Sequence, residues 1–132
     1  MPIATPLVTV QQLYGAFGAG DLPAFVALLA PDVRWRFIGA PGLPYTGEVK
    51  GPEAVQKWLD AVMQTDEIQA FEPREFFAGE RHVTVIGWEK TVARSTGRPF
   101  EADWLHVFEV DGGRVQRFLG MYDTAAAAEA FG

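Results

Sequence analysis

The sequence contains no cysteine, which excludes disulfides, thiol nucleophiles and metal sites with cysteine ligands. It has only two histidines, His82 and His106, which are too few for a histidine-rich metal site. No motif indicates a metal site built from carboxylates. We therefore expect the protein to work with neither a metal nor a cofactor.

Basic residues and long apolar runs are also scarce. The 11 Lys and Arg residues are outnumbered by 17 Asp and Glu, which gives a net charge of −6. This charge argues against nucleic acid as a partner, because the phosphate backbone needs a basic surface. No apolar run reaches the roughly 18 residues that cross a bilayer, and the first residues lack the pattern of a signal peptide. We expect a cytoplasmic protein with no membrane partner.

What the sequence does contain is a large apolar fraction. Of its 132 residues 48% are hydrophobic, and they include 10 Phe and 4 Trp. A chain of this length can bury a substantial core, and its apolar content is too high for a disordered chain. We expect one domain that covers residues 1–132.

Three helices are predicted in the first half of the chain. Thr9-Val-Gln-Gln12 resembles a capping box that begins the first helix, and Asp21 caps a second, short one. Gly51-Pro-Glu53 begins the third helix, with Pro in its first turn. Between the second and third helices, residues 33–38 alternate like a strand and residues 39–50 form a loop rich in Gly and Pro.

The second half of the chain predicts strands at about 68–78, 82–93, 99–110 and 114–122, followed by a short helix. Short connections that contain Gly join these strands, which indicates an antiparallel meander. Helices first and strands last predict an α+β domain, with the helices packed on one face of a curved antiparallel sheet.

Two carboxylates, Glu89 and Asp103, lie in the middle of apolar strands, where an unpaired charge costs several kcal/mol to bury. The turn positions predict that Asp103 faces Glu89 on one side and Tyr122 on the other. Two facing acids in an apolar site cannot both ionise easily, so one would act as acid and the other as base, with Tyr122 donating a hydrogen bond. The alternative is a structural ion pair with an arginine such as Arg94 or Arg74.

The same register predicts a sheet with two apolar faces. The face with the carboxylates also carries Gly87 and Gly120, which remove side-chain volume, and we expect it to form a cavity. The other face carries Trp88, Trp104 and His106, and we expect it to form the interface of a homodimer. A slip of one residue would exchange these faces, and His106 would then become the best general base.

A set of apolar and aromatic side chains is predicted to line the cavity and to bind a small hydrophobic molecule. These residues are Trp35, Phe37, Trp58, Phe71, Leu105 and Phe118, with Tyr45 at the entrance. For each of them a place in the plain core is the alternative. Asp123 is expected to cap the terminal helix, with a place in the pocket as the alternative.

Several segments, by their order and spacing, resemble the nuclear transport factor 2-like superfamily in its SnoaL-like and ketosteroid isomerase-like branch. They are Ala19-Gly-Asp-Leu22, Leu28-Leu-Ala-Pro-Asp-Val33, Gly51-Pro-Glu-Ala-Val55, Asp103-Trp-Leu-His-Val-Phe108 and Asp111-Gly-Gly-Arg-Val115. The resemblance implies a cone-shaped fold of three N-terminal helices packed on a curved antiparallel sheet. It also implies a deep apolar pocket, commonly a homodimer, and enzymes that use carboxylates without a cofactor.

The catalytic sets known for this superfamily are largely replaced in this sequence. The base, the oxyanion-hole Tyr and the oxyanion-hole Asp of ketosteroid isomerases fall on Phe37, Leu13 and Leu105. Of the acids of limonene-type epoxide hydrolases one survives, as Glu89, while the acid of the last strand falls on Gly120. Since this fold hosts many functions, the family alone does not fix the reaction.

The sequence therefore predicts a cofactor-free acid–base enzyme for a small hydrophobic substrate, with Glu89, Asp103 and Tyr122 as the catalytic residues. An isomerase, epoxide hydrolase, cyclase or dehydratase would each fit the pattern. The alternative is a protein that binds hydrophobic small molecules without catalysis.

Overall fold

The structure, a computed structural model, describes residues 5–132. Residues 1–4, on which the prediction about a signal peptide partly rests, lie outside the described residues. The helices are α1 (Pro6–Ala19), α2 (Leu22–Ala27), α3 (Pro52–Thr65) and α4 (Thr124–Phe131). The strands are β1 (Leu29–Ile38), β2 (Gly47–Lys50), β3 (Asp66–Ala78), β4 (His82–Ala93), β5 (Pro99–Asp111) and β6 (Arg114–Tyr122). None of the described helices is both long and apolar enough to cross a bilayer.

The helix starts follow local capping, with one correction. Thr5, not Thr9, is the N-cap of α1, since the Thr5 hydroxyl accepts from the backbone N–H of Val8 at 3.2 Å. The predicted capping box at Thr9 is wrong because this residue lies inside the helix, one turn later. The predicted caps of α2 and α4 are confirmed, with Asp21 and Asp123 accepting from backbone N–H groups of the first turn.

The six strands form one sheet in the order β2-β1-β6-β5-β4-β3. The prediction of a fully antiparallel sheet is wrong at one place, because β1 pairs with β6 in parallel. No short turn joins these two strands, and a long connection leaves the parallel direction open to them. The predicted loop 39–50 also contains a strand, β2, which pairs with β1.

The register of β5 is shifted by one residue from the prediction at both of its edges. The loop before it holds four residues, 94–97, since the Ala93 N–H donates to the Arg98 carbonyl at 2.8 Å. After it, Asp111 pairs with Arg114 as predicted for a two-residue turn, but a β-bulge at residues 109–110 shifts the rest of the pairing.

The facing residues of β5 therefore change. Glu89 pairs with Ala102, and Tyr122 pairs with Trp104, so the predicted facing of Asp103 with both of them is wrong. Side chains of a strand alternate between its faces, and a shift of one residue moves Asp103 from one face of the sheet to the other.

We call the sheet face that packs against the helices the inner face and the opposite one the outer face. Trp104 and His106 are buried on the inner face, whereas Asp103 and Leu105 lie on the outer face with Trp88. The predicted interface of Trp88, Trp104 and His106 is therefore wrong, since only the first of the three lies outside. The homodimer itself stays a prediction.

Candidate functional site

A cavity of about 80 Å³ lies between the inner face of the sheet and the helices. Aromatic side chains form most of its wall, and three carboxyl or imidazole groups lie among them: Asp66, Glu89 and His106. Of the residues predicted for this site, those that line the cavity are Trp35, Phe37, Tyr45, Trp58, Phe71, Glu89, Phe118 and Tyr122. Asp103 and Leu105 do not line it, because they lie on the outer face.

The cavity wall depends on two glycines that let aromatic rings lie flat on the sheet. A Cβ atom at Gly87 would lie 2.1 Å from the Trp104 ring, and one at Gly120 would lie 2.4 Å from the Phe118 ring. The Trp104 indole stacks with Phe71 and also with the imidazole of His106, with centroid distances of 4.7 and 4.1 Å. The glycines therefore set where the cavity wall lies.

Glu89 is a buried carboxyl group that is available as a base near neutral pH. Its side chain is 6% exposed, and the Thr91 hydroxyl donates to its Oε2 at 2.6 Å. Burial raises the pKa of Glu89 to about 7, the negative charge of Asp66 adds to this rise, and the Thr91 hydrogen bond opposes it. Both the protonated and the ionised forms are therefore populated at neutral pH.

A second acid, Asp66, is the first residue of β3. It accepts a hydrogen bond from the first of two linked tyrosine hydroxyls. The Tyr45 hydroxyl donates to Asp66 Oδ2 at 3.1 Å and lies 2.8 Å from the Tyr122 hydroxyl. Trp58 Nε1 donates to the Tyr45 carbonyl at 2.8 Å, which fixes this loop residue beside the sheet. Burial raises the pKa of Asp66, although hydrogen bonds from Thr65 and Tyr45 oppose the rise.

The third polar group is a pair formed by Tyr14 of α1 and His106 of β5. The Tyr14 hydroxyl lies 2.7 Å from His106 Nδ1. Burial lowers the pKa of His106 to about 3 and raises that of Tyr14, so both groups are neutral at physiological pH. A neutral imidazole has one N–H, and after the shared hydrogen bond the pair keeps one donor for a ligand in either tautomer.

The strand register places these groups at two ends of the cavity. On the inner face of β5, Trp104 lies between Ala102, which pairs with Glu89, and His106. Since alternate residues of a strand are about 6.6 Å apart, Trp104 separates the Glu89 end from the histidine end. A flat molecule in the cavity would therefore meet acids on one side and a neutral donor on the other.

Sequence reasoning did not single out two of these groups, Tyr14 and Asp66. Tyr14 belongs to the apolar stripe of α1, and nothing in that pattern separates a pocket tyrosine from a core tyrosine. Asp66 lies at a helix–strand junction, where polar residues are common. The resemblance placed the oxyanion-hole positions on Leu13 and Leu105, each one residue before the pair that meets in the cavity, Tyr14 and His106.

Comparisons with known proteins identify the family and the fold. The family model for the SnoaL-like domain matches residues 10–118. A nuclear transport factor 2-like protein from Burkholderia xenovorans has 30% sequence identity and a TM-score of 0.87, over 99% of this chain and 100% of that one. No curated protein matches the chain.

Two further solved structures are similar in fold alone. One is TerC, co-crystallised with polyporic acid, with 21% identity and a TM-score of 0.80 over 95% of this chain and 96% of that one. The other is a protein with a ketosteroid isomerase-like fold from Catenulispora acidiphila, in complex with trimethylamine. It has 15% identity and a TM-score of 0.79, over 96% of this chain and 93% of that one.

Proposed function

Because the chain belongs to the SnoaL-like domain family and has the nuclear transport factor 2-like fold, we propose that it is a cofactor-independent acid–base enzyme. Its substrate would be a small, flat, hydrophobic molecule that carries a carbonyl or hydroxyl oxygen. The observation that carries this proposal is an aromatic cavity with a buried carboxyl group, Glu89, at one end and a neutral donor pair at the other.

Glu89 is the proposed general base. An ideal base has a pKa near the working pH, since it is then ionised often enough and still binds the proton well. Burial raises the pKa of Glu89 to about 7, which meets this condition. Its Thr91 partner holds one carboxyl oxygen and thereby fixes the orientation of the group.

The Tyr14–His106 pair is proposed to bind the substrate oxygen. Removal of a proton next to a carbonyl group places negative charge on the carbonyl oxygen, and a fixed donor in an apolar site stabilises that charge. Since both partners are neutral, the pair can donate a hydrogen bond without adding a charge to the cavity.

Proton transfer within the substrate fits the cavity better than hydrolysis does. Two of the three catalytic positions of limonene-type epoxide hydrolases are Gly87 and Gly120, and rings of Trp104 and Phe118 cover both. These rings occupy space that a hydrolytic water and its polar partners would need. We therefore propose an isomerase-type reaction.

The test uses a nitrobenzisoxazole, whose ring opens when a base removes its C–H proton and which releases a coloured phenolate. The rate should increase as the pH rises through about 7, the pKa of Glu89. Glu89→Gln should lower kcat/KM at least about 100-fold, which is the usual contribution of a general base. Quenching of tryptophan fluorescence by the nitroaromatic probe measures its binding separately.

Asp103→Asn is the matched control, since it neutralises an exposed acid on the adjacent strand. It should leave kcat/KM and probe binding unchanged. Equal rates for the wild type and Glu89→Gln would contradict the assignment of the base. Slow turnover in both proteins with tight binding in both would instead support the second candidate.

The second candidate is a protein that binds hydrophobic small molecules without catalysis. It is favoured by one observation: the hydroxyls of Tyr14, Tyr45 and Tyr122 all bond to protein partners, so that the cavity offers mostly apolar surface. This candidate predicts that Glu89→Gln leaves the affinity for apolar ligands unchanged and that no probe is turned over.

A further inference from the structure

Asp66, Tyr45 and Tyr122 form a buried chain of hydrogen bonds from the end of α3 to the last strand. The Tyr45 hydroxyl is 3.1 Å from Asp66 Oδ2 and 2.8 Å from the Tyr122 hydroxyl. The three residues are 3%, 2% and 7% exposed, in the order Asp66, Tyr45, Tyr122, and all three line the cavity. The chain thus connects a buried acid to a hydroxyl on the sheet.

Counting protons shows that this chain has two directions. Each tyrosine hydroxyl can donate only one hydrogen bond. When Asp66 is ionised, Tyr45 donates to it and Tyr122 must donate to Tyr45, so that Tyr122 has no proton for a ligand. When Asp66 holds a proton on Oδ2, it can donate to Tyr45, Tyr45 donates to Tyr122, and the Tyr122 proton is free for the cavity.

We infer that Tyr122 is the proton donor to the substrate and that Asp66 supplies the proton through Tyr45. This inference rests on the proposed function, in which Glu89 removes a proton from the substrate. In one step Tyr122 gives its proton to a second substrate oxygen, which lies at the Glu89 end of the cavity and is not the one bound by the Tyr14–His106 pair. Tyr45 then gives its own proton to Tyr122, and Asp66 gives its own to Tyr45. Asp66 ends as a carboxylate, and exchange with water returns a proton to Asp66 and removes one from Glu89.

The surroundings of Asp66 bear on where its proton lies. Burial raises the pKa of Asp66 and favours the protonated form, whereas the hydrogen bonds from Thr65 and Tyr45 and the charge of Arg94 favour the carboxylate. The Thr65 hydroxyl, 2.7 Å from Asp66 Oδ1, is a second possible partner, and it also lies 3.0 Å from the Ala61 carbonyl. A proton on Oδ1 would bond to Thr65 and leave the tyrosine chain unreversed.

The test reads the direction of the chain without turnover. The sequence contains three tyrosines, so the ¹³Cζ signals of labelled tyrosine can be assigned with single Tyr→Phe variants. The spectra are recorded against pH in Glu89→Gln, where Asp66 is the remaining carboxyl group of the cavity lining. The Tyr45 and Tyr122 signals should shift with the midpoint of the Asp66 ¹³Cγ signal, while Tyr14 should not.

Two variants distinguish proton relay through the Asp66–Tyr45–Tyr122 hydrogen bonds, which we call the wire, from a direct effect of the Asp66 charge on Tyr122. In Tyr45→Phe, Asp66 should still titrate and Tyr122 should no longer follow it. In Thr65→Val, which removes the second partner of the proton, Tyr122 should still follow Asp66. The inference is overturned if Tyr122 does not respond to Asp66, or if it responds equally in Tyr45→Phe, since a field effect needs no intervening hydroxyl.

The wire and the proposed base can fail independently. The NMR experiment is carried out with Glu89 replaced, so that it contains no base and no substrate. If Tyr122 follows the titration of Asp66 but Glu89→Gln converts nitrobenzisoxazole at the wild-type rate, the wire is supported and Glu89 is not the base. If Glu89→Gln loses about 100-fold in rate but the Tyr122 signal does not respond to Asp66, Glu89 is supported as the base and the wire is wrong.

Discussion

Lowering the pH from 6.5 to about 3 should reduce the free energy of unfolding by about 5 kcal/mol through His106 alone. Burial lowers the pKa of this imidazole from 6.5 to about 3, so the unfolded chain binds a proton in this window and the folded chain does not. Each pH unit in the window is worth about 1.4 kcal/mol. Since domains are stable by about 5–15 kcal/mol in total, this one residue can decide whether the protein survives acid.

Glu89 acts in the opposite direction. Its pKa rises from 4.5 to about 7 on folding, so that its contribution to stability is complete below pH 4.5 and is lost as the pH rises through about 7. The contribution is about 3 kcal/mol, and the raised pKa of Asp66 adds in the same direction. Between pH 4.5 and 6.5 the gain in stability through Glu89 and the loss through His106 nearly cancel as the pH falls. The loss through His106 therefore becomes visible only below that range.

The variant His106→Phe should remove the acid loss and reveal the contribution of Glu89. Its stability should increase on acidification from about pH 7 to pH 4.5, over a constant penalty of about 1–3 kcal/mol for the Tyr14 hydroxyl that loses its partner. Urea unfolding followed by tryptophan fluorescence over this pH range measures both terms.

His82→Gln is the matched control for the loss of one imidazole, because His82 is exposed at the start of β4. This variant should keep the acid loss of the wild type. Parallel pH profiles for His106→Phe and the wild type would show that His106 is not held neutral by the fold, and the proposed neutral pair with Tyr14 would be wrong.

Gly87→Ala is expected to destabilise the protein by about 3 kcal/mol, the upper end of the usual cost of overpacking a core. The new Cβ would lie 2.1–2.5 Å from three ring atoms of Trp104. The ring has little room to move, because Phe71 and His106 both pack against it. Elsewhere in a strand the same substitution would stabilise by roughly 0.5–1 kcal/mol, since Gly loses more backbone entropy on folding.

Thermal and urea unfolding measure the loss of stability in Gly87→Ala, and two further variants test its cause. Gly15→Ala lies on the exposed side of α1 with no atom within 4 Å of the new Cβ, and it should stabilise the protein by about 1 kcal/mol. Trp104→Phe combined with Gly87→Ala should recover part of the loss, because the smaller ring leaves room for the methyl group. Equal stability of Gly87→Ala and the wild type would mean that the Trp104 ring does not lie against this glycine.

The inner face of β4 and β6 could be predicted from the sequence, and that of β5 could not. Glu89 and Tyr122 lie on the inner face as expected, since alternation within each strand fixes their neighbours. For β5, the four-residue loop before it and the β-bulge between Val110 and Glu109, which skips Gln116 of β6, each shift the pairing by one residue. A bulge follows from local backbone geometry that hydropathy alternation does not encode, so Asp103 and His106 exchanged faces.

The fold class was predictable because several signals agreed, whereas the roles of Tyr14 and Asp66 in the site were not, because their partners are distant in sequence. Helix caps at Asp21 and Asp123 and the two-residue turn at Gly112-Gly113 are local signals, and each is confirmed. The parallel pairing of β1 with β6 and the meeting of Tyr14 with His106 join residues from opposite ends of the chain. Such contacts depend on tertiary packing, for which a single sequence contains no direct signal.

The place of β6 in the sheet also has a consequence for how the molecule forms. Residues 34–38 of β1 pair with residues 117–121 of β6, and through them β1 and β2 join the rest of the sheet. During synthesis, β1 cannot pair with β6 until residues 117–121 have been made. Contacts of such long sequence separation slow folding and prolong the exposure of apolar surface. The partly folded chain is therefore most prone to aggregate before β6 is available to pair with β1.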